Sequence, residues 1–164
     1  MDFSNENQSR RSIIKSLFAG LLTGVAGMFG VAQAAPSDKK DRSIKRMPAS
    51  GAGGQEVPLF SGSVTHDGLV YIAGKGYHEE GDITKHTTEV LNSLEEELEK
   101  AGSSMDRVLK VNVYLADLDD YDEMNDAYRG RFGDNPPVRT TVATYGGVPG
   151  DSLVEIDCIA ALNE

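Results

Sequence analysis

The strongest constraint on the fold is a helix that is apolar on one side only. Ile83, Thr87, Val90, Leu91, Leu94, Leu98 and Ala101 recur at three- and four-residue spacing, which sets them along one stripe of an α-helix. Asp82 stands where a helix is capped and Gly102 where one stops. The other side carries Glu89, Glu95, Glu96, Glu99 and Lys100, a charge run that reads as a solvated face rather than a metal site. Such a helix must lay its apolar stripe on a second layer.

Short β runs supply that layer. Residues 108–115 alternate, with Val111, Val113 and Leu115 opposite Lys110, Asn112 and Tyr114, the pattern of a half-buried strand. Runs at 61–64 and 69–73 bracket His66-Asp67-Gly68, whose Asp-Gly is a hairpin signal. A shorter helix is expected over 120–132, with Tyr121, Met124, Tyr128 and Phe132 inward, before Asn135-Pro136-Pro137 breaks the chain. Two strands then close the sequence. Residues 36–45 read as a polar tail, 47–55 as a loop or ragged first strand, and 74–81 as an exposed loop holding Lys75 and Tyr77. The order strand, strand, helix, strand, helix, strand, strand gives an α+β class. Its expected form is a mixed sheet with two helices packed on one face.

The first 34 residues stand apart. Ser9-Arg10-Arg11-Ser12-Ile13-Ile14-Lys15 precedes an apolar, glycine-rich run at 17–32 that ends in Ala32-Gln33-Ala34, a small-x-small cleavage pattern. Paired arginines ahead of such a run predict a twin-arginine export signal at 1–34. A flexible segment at 35–55 and a folded domain at 56–164 would follow. The expected location is the periplasm, with the twin-arginine translocase as partner during export and cleavage near Ala34/Ala35. Gly20, Gly24, Gly27 and Gly30 make the run a poor membrane span, so no stable membrane association is expected.

Charge narrows the partners. The chain has a net charge of −10. Residues 1–34 hold three basic and two acidic side chains, so their removal leaves −11. A chain this acidic repels polyphosphate, which argues against nucleic acid as a partner. Cys158 is the single cysteine, so no intramolecular disulfide forms and stability rests on a core, within one subunit or shared between several. Cys158 itself reads as a small buried residue rather than a nucleophile. His66, His78 and His86 lack metal-ligand spacing and read as surface or cap residues, so no metal is expected.

Two terminal runs carry the chemistry. Pro137-Val138-Arg139-Thr140-Thr141 places one arginine on a strand, and Val154-Glu155-Ile156-Asp157-Cys158-Ile159-Ala160 places Glu155 sixteen residues later on another. A guanidinium is a planar fork of donors that matches a carboxylate, and a carboxylate on a strand can orient or deprotonate a water. Two arrangements are open from spacing alone: a site, or an ion pair between strands.

The wider pattern resembles the RidA/YjgF family of reactive-intermediate imine deaminases. The likeness covers roughly residues 57–162. It rests on Pro58, Ala73-Gly74, Ala101-Gly102, Val111-x-Val113-Tyr114-Leu115-x-Asp117-Leu118, Asn125-x-x-Tyr128, Pro137-x-Arg139 and the Val154–Ala160 run. The resemblance implies a chorismate-mutase-like, RidA-type fold and a homotrimer with sites in clefts between subunits. It also implies cofactor-free hydrolysis of small 2-imino or enamine acids to 2-oxo acids and ammonia. Arg139 would hold the substrate carboxylate and Glu155 would set up the hydrolytic water. Thr141, Asn125, Tyr128, Ala73 and Gly74 would line the substrate site, and Asp157 matches a second acidic position without assigned chemistry. Three positions depart from the family pattern: Leu59 for a tyrosine, Ala73 for a serine and Thr141 for a cysteine. The alternative function is a non-catalytic trimer that binds small carboxylates.

Overall fold

Strict alternation in the last strand fixes how the layers sit. Val154, Ile156, Cys158 and Ala160 are buried, while Glu155, Asp157, Ile159 and Ala161 between them are half-buried. One face of the sheet is therefore core and the other is not. The computed structural model describes residues 42–49 and 57–163. Its strands are β1 (Lys45–Pro48), β2 (Ser61–His66), β3 (Leu69–Lys75), β4 (Val108–Leu115), β5 (Val138–Ala143) and β6 (Val154–Ala161). The helices are α1 (Ile83–Lys100) and α2 (Tyr121–Tyr128).

The strands form one sheet in the order β1-β2-β3-β6-β4-β5. Every pairing is antiparallel except β4 with β5, which is parallel. The mixed sheet with two helices expected from sequence is what is found. The β2–β3 hairpin turns through Asp67 (φ 49°) and Gly68 (φ 81°), the left-handed pair that a two-residue turn between twisted strands requires. Asp82 caps α1, its Oδ1 accepting from the Lys85 amide at 2.8 Å. Gly102, at φ 83°, ends α1, with the Ser103 amide reaching back to the Leu98 carbonyl at 2.8 Å.

The core lies between this sheet and the helices. Val70, Ile72, Val111, Val113, Leu115, Val154 and Ile156 face Val90, Leu91, Leu94 and Leu98 of α1 and Met124 of α2, all at most 4% exposed. At roughly 1.5–3 kcal/mol for each large apolar side chain removed from water, this layer is the main stabilising term. The second face carries Tyr71, Asn112, Tyr114, Val138, Val142, Glu155 and Asp157, and among the described residues no helix covers it.

Several expectations need correction. Of the two readings of 47–55, loop or ragged first strand, the strand holds over its first residues, but β1 already begins at Lys45, inside the segment read as tail, and extends the sheet beside β2. The second helix stops at Tyr128, four residues short of Phe132, because the chain leaves helical geometry at Arg129 (ψ 130°). Phe132 still packs inward at 2% exposed, whereas Tyr121, expected inward, is 38% exposed. Lys75 ends a strand instead of lying in an exposed loop, and Tyr77 packs against the core and the His86 ring. His86 is a buried core residue, accepting at Nδ1 from the Leu153 amide at 3.1 Å. Among the described residues no helix is long and apolar enough to cross a membrane. The expected export signal at 1–34 lies outside the described residues.

Candidate functional site

Topology decides first which residues can meet. β4 runs between β5 and β6, so Arg139 and Glu155 are never cross-strand neighbours. Arg139 is in register with Val111, on the helix-covered face, and Glu155 with Tyr114, on the open face. The ion pair left open by sequence is therefore absent, and the two groups point to opposite sides of one sheet.

Arg139 enters β5 just after Pro136-Pro137 and turns toward α2. Its Nη2 donates to Asn125 Oδ1 at 2.8 Å. Its guanidinium carbon stands 4.7 Å from the centre of the Tyr128 ring, a stacked geometry in which the ring face attracts the cation. Asn125 and Tyr128 are three residues apart on α2, and that spacing places them on one helix face. The Tyr128 ring is braced in turn by Phe132, with centroids 4.9 Å apart. Among the described residues Arg139 has no carboxylate partner. One edge of the fork is held, and the remaining donors stay available to an anion.

These groups line a cleft of about 650 Å³ that also includes Asp122, Asp126, Arg129 and Pro136. Tyr128 is 8% exposed and its hydroxyl has no hydrogen-bond partner. Burial pushes that hydroxyl up to about 12, with Arg139 opposing the shift, so the ring remains neutral across the physiological range. Thr141 lies two residues beyond Arg139 on the same face of β5, its Oγ1 also buried and unpartnered. Asn125, Tyr128, Arg139 and Thr141 are thus brought to one side of the sheet.

Glu155 has different surroundings. It borders a cavity of about 160 Å³ with Tyr114, Thr144, Gly147, Val148 and Pro149. Its carboxylate lies across Gly74, where an added Cβ would overlap Oε1. Glu155 makes no hydrogen bond among the described residues, while Asp157 accepts from Asn112 Nδ2 at 2.8 Å and from the Tyr114 hydroxyl at 3.0 Å. The two acids of β6 are therefore unequal: each Asp157 oxygen already accepts one hydrogen bond, and Glu155 accepts none among the described residues. Tyr114 is pushed above the usual tyrosine range, first by burial, then by its bond to Asp157 and by the charges of Asp157 and Glu155.

Ala73 and Gly74 border a third depression, of about 370 Å³, with Phe60, Lys75 and Glu97. Lys75 Nζ is paired with Glu97 Oε2 at 3.0 Å. Cys158 is 1% exposed, and burial pushes its thiol up to about 12, which makes it a poor nucleophile. Among the described residues no group of three His, Cys, Asp or Glu side chains is placed to hold a metal ion. Sequence reasoning missed Tyr114 and Gly147 as neighbours of Glu155, and Asp122 beside Arg139. Of these only Asp122 had a local signal, falling on the same helix face as Asn125.

Comparison with known proteins agrees with this architecture. The family model for endoribonuclease L-PSP matches residues 55–162. The mitochondrial protein mmf2 of Schizosaccharomyces pombe is 36% identical over 110 residues, covering 62% of this chain and 86% of the relative. A RutC family protein of Pyrococcus abyssi is 34% identical over 108 residues, covering 62% and 84%. The crystal structure of a YjgF family member from Neisseria meningitidis superposes with a TM-score of 0.66 at 25% identity, covering 75% of this chain and 98% of that one. Fold, length of match and sequence agree, and the chain belongs to the endoribonuclease L-PSP family, the RidA/YjgF group.

Proposed function

We propose that the protein hydrolyses small reactive 2-imino acids, and the enamines that tautomerise to them, to 2-oxo acids and ammonia without a cofactor. The observation that carries this reading is the Arg139 guanidinium, fixed by Asn125 at 2.8 Å and stacked on Tyr128, with no carboxylate partner among the described residues. It is a preorganised clamp for a small carboxylate. A clamped substrate brings an activated C=N carbon to one place, and a carboxylate then has only to position a water against it. Glu155, free of hydrogen bonds among the described residues, is the group for that role.

The opposed faces of Arg139 and Glu155 support a site shared between copies. In a homotrimer, the clamp of one subunit and the carboxylate of the next complete one cleft. A second reading, a trimer that binds carboxylates without turnover, draws on the same fact, because the clamp is whole within one chain and Glu155 is not part of it. RNA cleavage, which the family name suggests, is disfavoured by a net charge of −10.

The test follows short-lived imines made by an amino-acid oxidase and measures 2-oxo acid release. Arg139→Ala is expected to abolish 2-oxo acid binding, and Arg139→Lys to recover little, since the fork geometry is lost. Glu155→Gln is expected to bind normally but to hydrolyse roughly 10²–10⁴-fold more slowly. Wild type no faster than buffer, yet still binding 2-oxo acids, would favour the binding module. Equal rates for wild type and Glu155→Gln would remove Glu155 from the mechanism.

We further propose that the reaction runs in the periplasm, reached by twin-arginine export. The Arg10-Arg11 pair ahead of the 17–32 run supports this. The exported chain is expected to begin near Ala35, and replacing Arg10 and Arg11 by lysine to leave the protein in the cytoplasm. N-terminal sequencing of each cell fraction checks it, and unchanged export would overturn the twin-arginine reading.

A further inference from the structure

The side chain beside Glu155 on the open sheet face has its hydrogen bonding fixed in direction. Tyr114 of β4 is in register with Glu155 of β6, and both border the cavity of about 160 Å³. The Tyr114 hydroxyl meets Asp157 Oδ2 at 3.0 Å, while Asp157 Oδ1 is occupied by Asn112 Nδ2 at 2.8 Å. An ionised carboxylate only accepts, so the phenol is the donor of this bond. Tyr114 is held above the usual tyrosine range, first by burial and then by its bond to Asp157, so the proton stays on the phenol. The phenol oxygen keeps its lone pairs, and no group among the described residues donates to it. In this state Tyr114 can accept a further hydrogen bond but has no second proton to give. Asp157 also keeps that proton away from Glu155, whose charge reaches Tyr114 although no hydrogen bond joins them.

From this arrangement we infer that Tyr114 is a second acceptor for the hydrolytic water, and that Asp157 is the positioning residue that turns the phenol oxygen toward it. The inference rests on the reading of Glu155 as the group that holds that water. A water with a single acceptor turns freely about its one hydrogen bond. With one hydrogen on Glu155 and the other on the Tyr114 oxygen, its lone pair is directed outward at the C=N carbon, as a near-attack geometry requires. The cavity has room for it, since a water takes about 30 Å³ of liquid volume. In the step, the water oxygen bonds to the iminium carbon, its O–H bond to Glu155 breaks with the proton passing to the carboxylate, and the C=N electron pair moves onto nitrogen. Glu155 returns that proton to the nitrogen. The C–N bond then breaks as the carbonyl forms, and the carbinol proton leaves with the ammonia. R–C(=NH2⁺)–COO⁻ plus H2O becomes R–CO–COO⁻ plus NH4⁺, and Tyr114 keeps its proton throughout.

The test measures steady-state hydrolysis of imines made by an amino-acid oxidase, with 2-oxo acid affinity by calorimetry beside it. Tyr114→Phe keeps the ring and loses one hydrogen-bond acceptor. Its kcat is expected to fall about threefold to tenfold, with KM and 2-oxo acid affinity unchanged, the split that marks an effect on the chemical step. Asp157→Ala frees the phenol proton to turn onto Glu155 and should slow the enzyme by a similar factor. In the Tyr114→Phe background the same change should add nothing, because both act through one hydroxyl. Two separate packing defects would multiply instead. If Asp157→Ala does not fold, the kcat of Tyr114→Phe decides alone. Tyr114→Phe as fast as wild type, or losses that multiply, overturns the inference, while a slow Glu155→Gln keeps the Glu155 reading standing. Glu155→Gln as fast as wild type, or wild type no faster than buffer, removes that reading and this inference together.

Discussion

Gly74 is exposed and has an ordinary negative φ, so neither crowding by the core nor its backbone requires glycine. What requires it is Glu155, whose carboxylate fills the place of the missing Cβ. Gly74→Ala should push that carboxylate away while leaving β3 and the Arg139 cleft in place. Imine hydrolysis is then expected to fall about tenfold to a hundredfold, the scale for a reacting group displaced by an ångström, with 2-oxo acid affinity little changed. Gly74→Ala combined with Glu155→Gln should lose little more than Glu155→Gln alone, since both changes act through the one carboxylate. Steady-state rates and calorimetric affinities for the three proteins check this, and full activity in Gly74→Ala would detach Glu155 from the chemistry. Asp157 offers the contrast at the same scale. It is acidic and two residues away on the same face, but held by Asn112 and Tyr114, so its charge is not offered to a ligand.

Between elements, the Lys75–Glu97 pair ties β3 to α1. The side chains are 16% and 6% exposed and 3.0 Å apart. Removing one partner strands a buried charge, so Glu97→Ala should destabilise the fold by roughly 3 kcal/mol, while Lys75→Met with Glu97→Leu should be close to neutral. Urea unfolding of the two variants measures both, and equal losses would mean that packing, not charge, sets the cost. Glu97 also marks what local reading can reach. It follows Leu94 by three and Val90 by seven, on the edge of the apolar stripe, as His86 does from Ile83. Both belong to the buried face, but the partners that make burial tolerable, Lys75 and the Leu153 amide, are 22 and 67 residues distant. The hairpin, α1 and β4 were legible because their signals are periodic and short-range. Arg139 and Glu155 were legible as residues but not as a geometry, because β4 separates β5 from β6 and long-range pairing leaves no local mark. The end of α2 was missed for the opposite reason: Phe132 keeps the helical spacing after the helix has stopped.

Among the described residues one sheet face has no covering layer. Tyr71 and Val142 are each 44% exposed there and Val138 is 69% exposed, and β5 ends the sheet with an unpaired edge. An exposed apolar face beside an open edge invites another chain. The expectation is a trimer closed over this face, bringing Glu155 of one copy toward the clamp of the next. Light scattering should return three times the chain mass. Val142→Glu with Tyr71→Glu would add charge beside Glu155 and Asp157, so like-charge repulsion and buried carboxylates should both oppose assembly. That variant should run as a monomer and remain folded, since neither side chain belongs to the core under the helices. Arg139, Asn125 and Tyr128 sit within one chain, so the monomer should still bind 2-oxo acids. It should not hydrolyse imines, because its own Glu155 faces the other side of the sheet. A wild type that scatters as a monomer and still hydrolyses imines would overturn the shared site, and a dissociated variant with full activity would do the same.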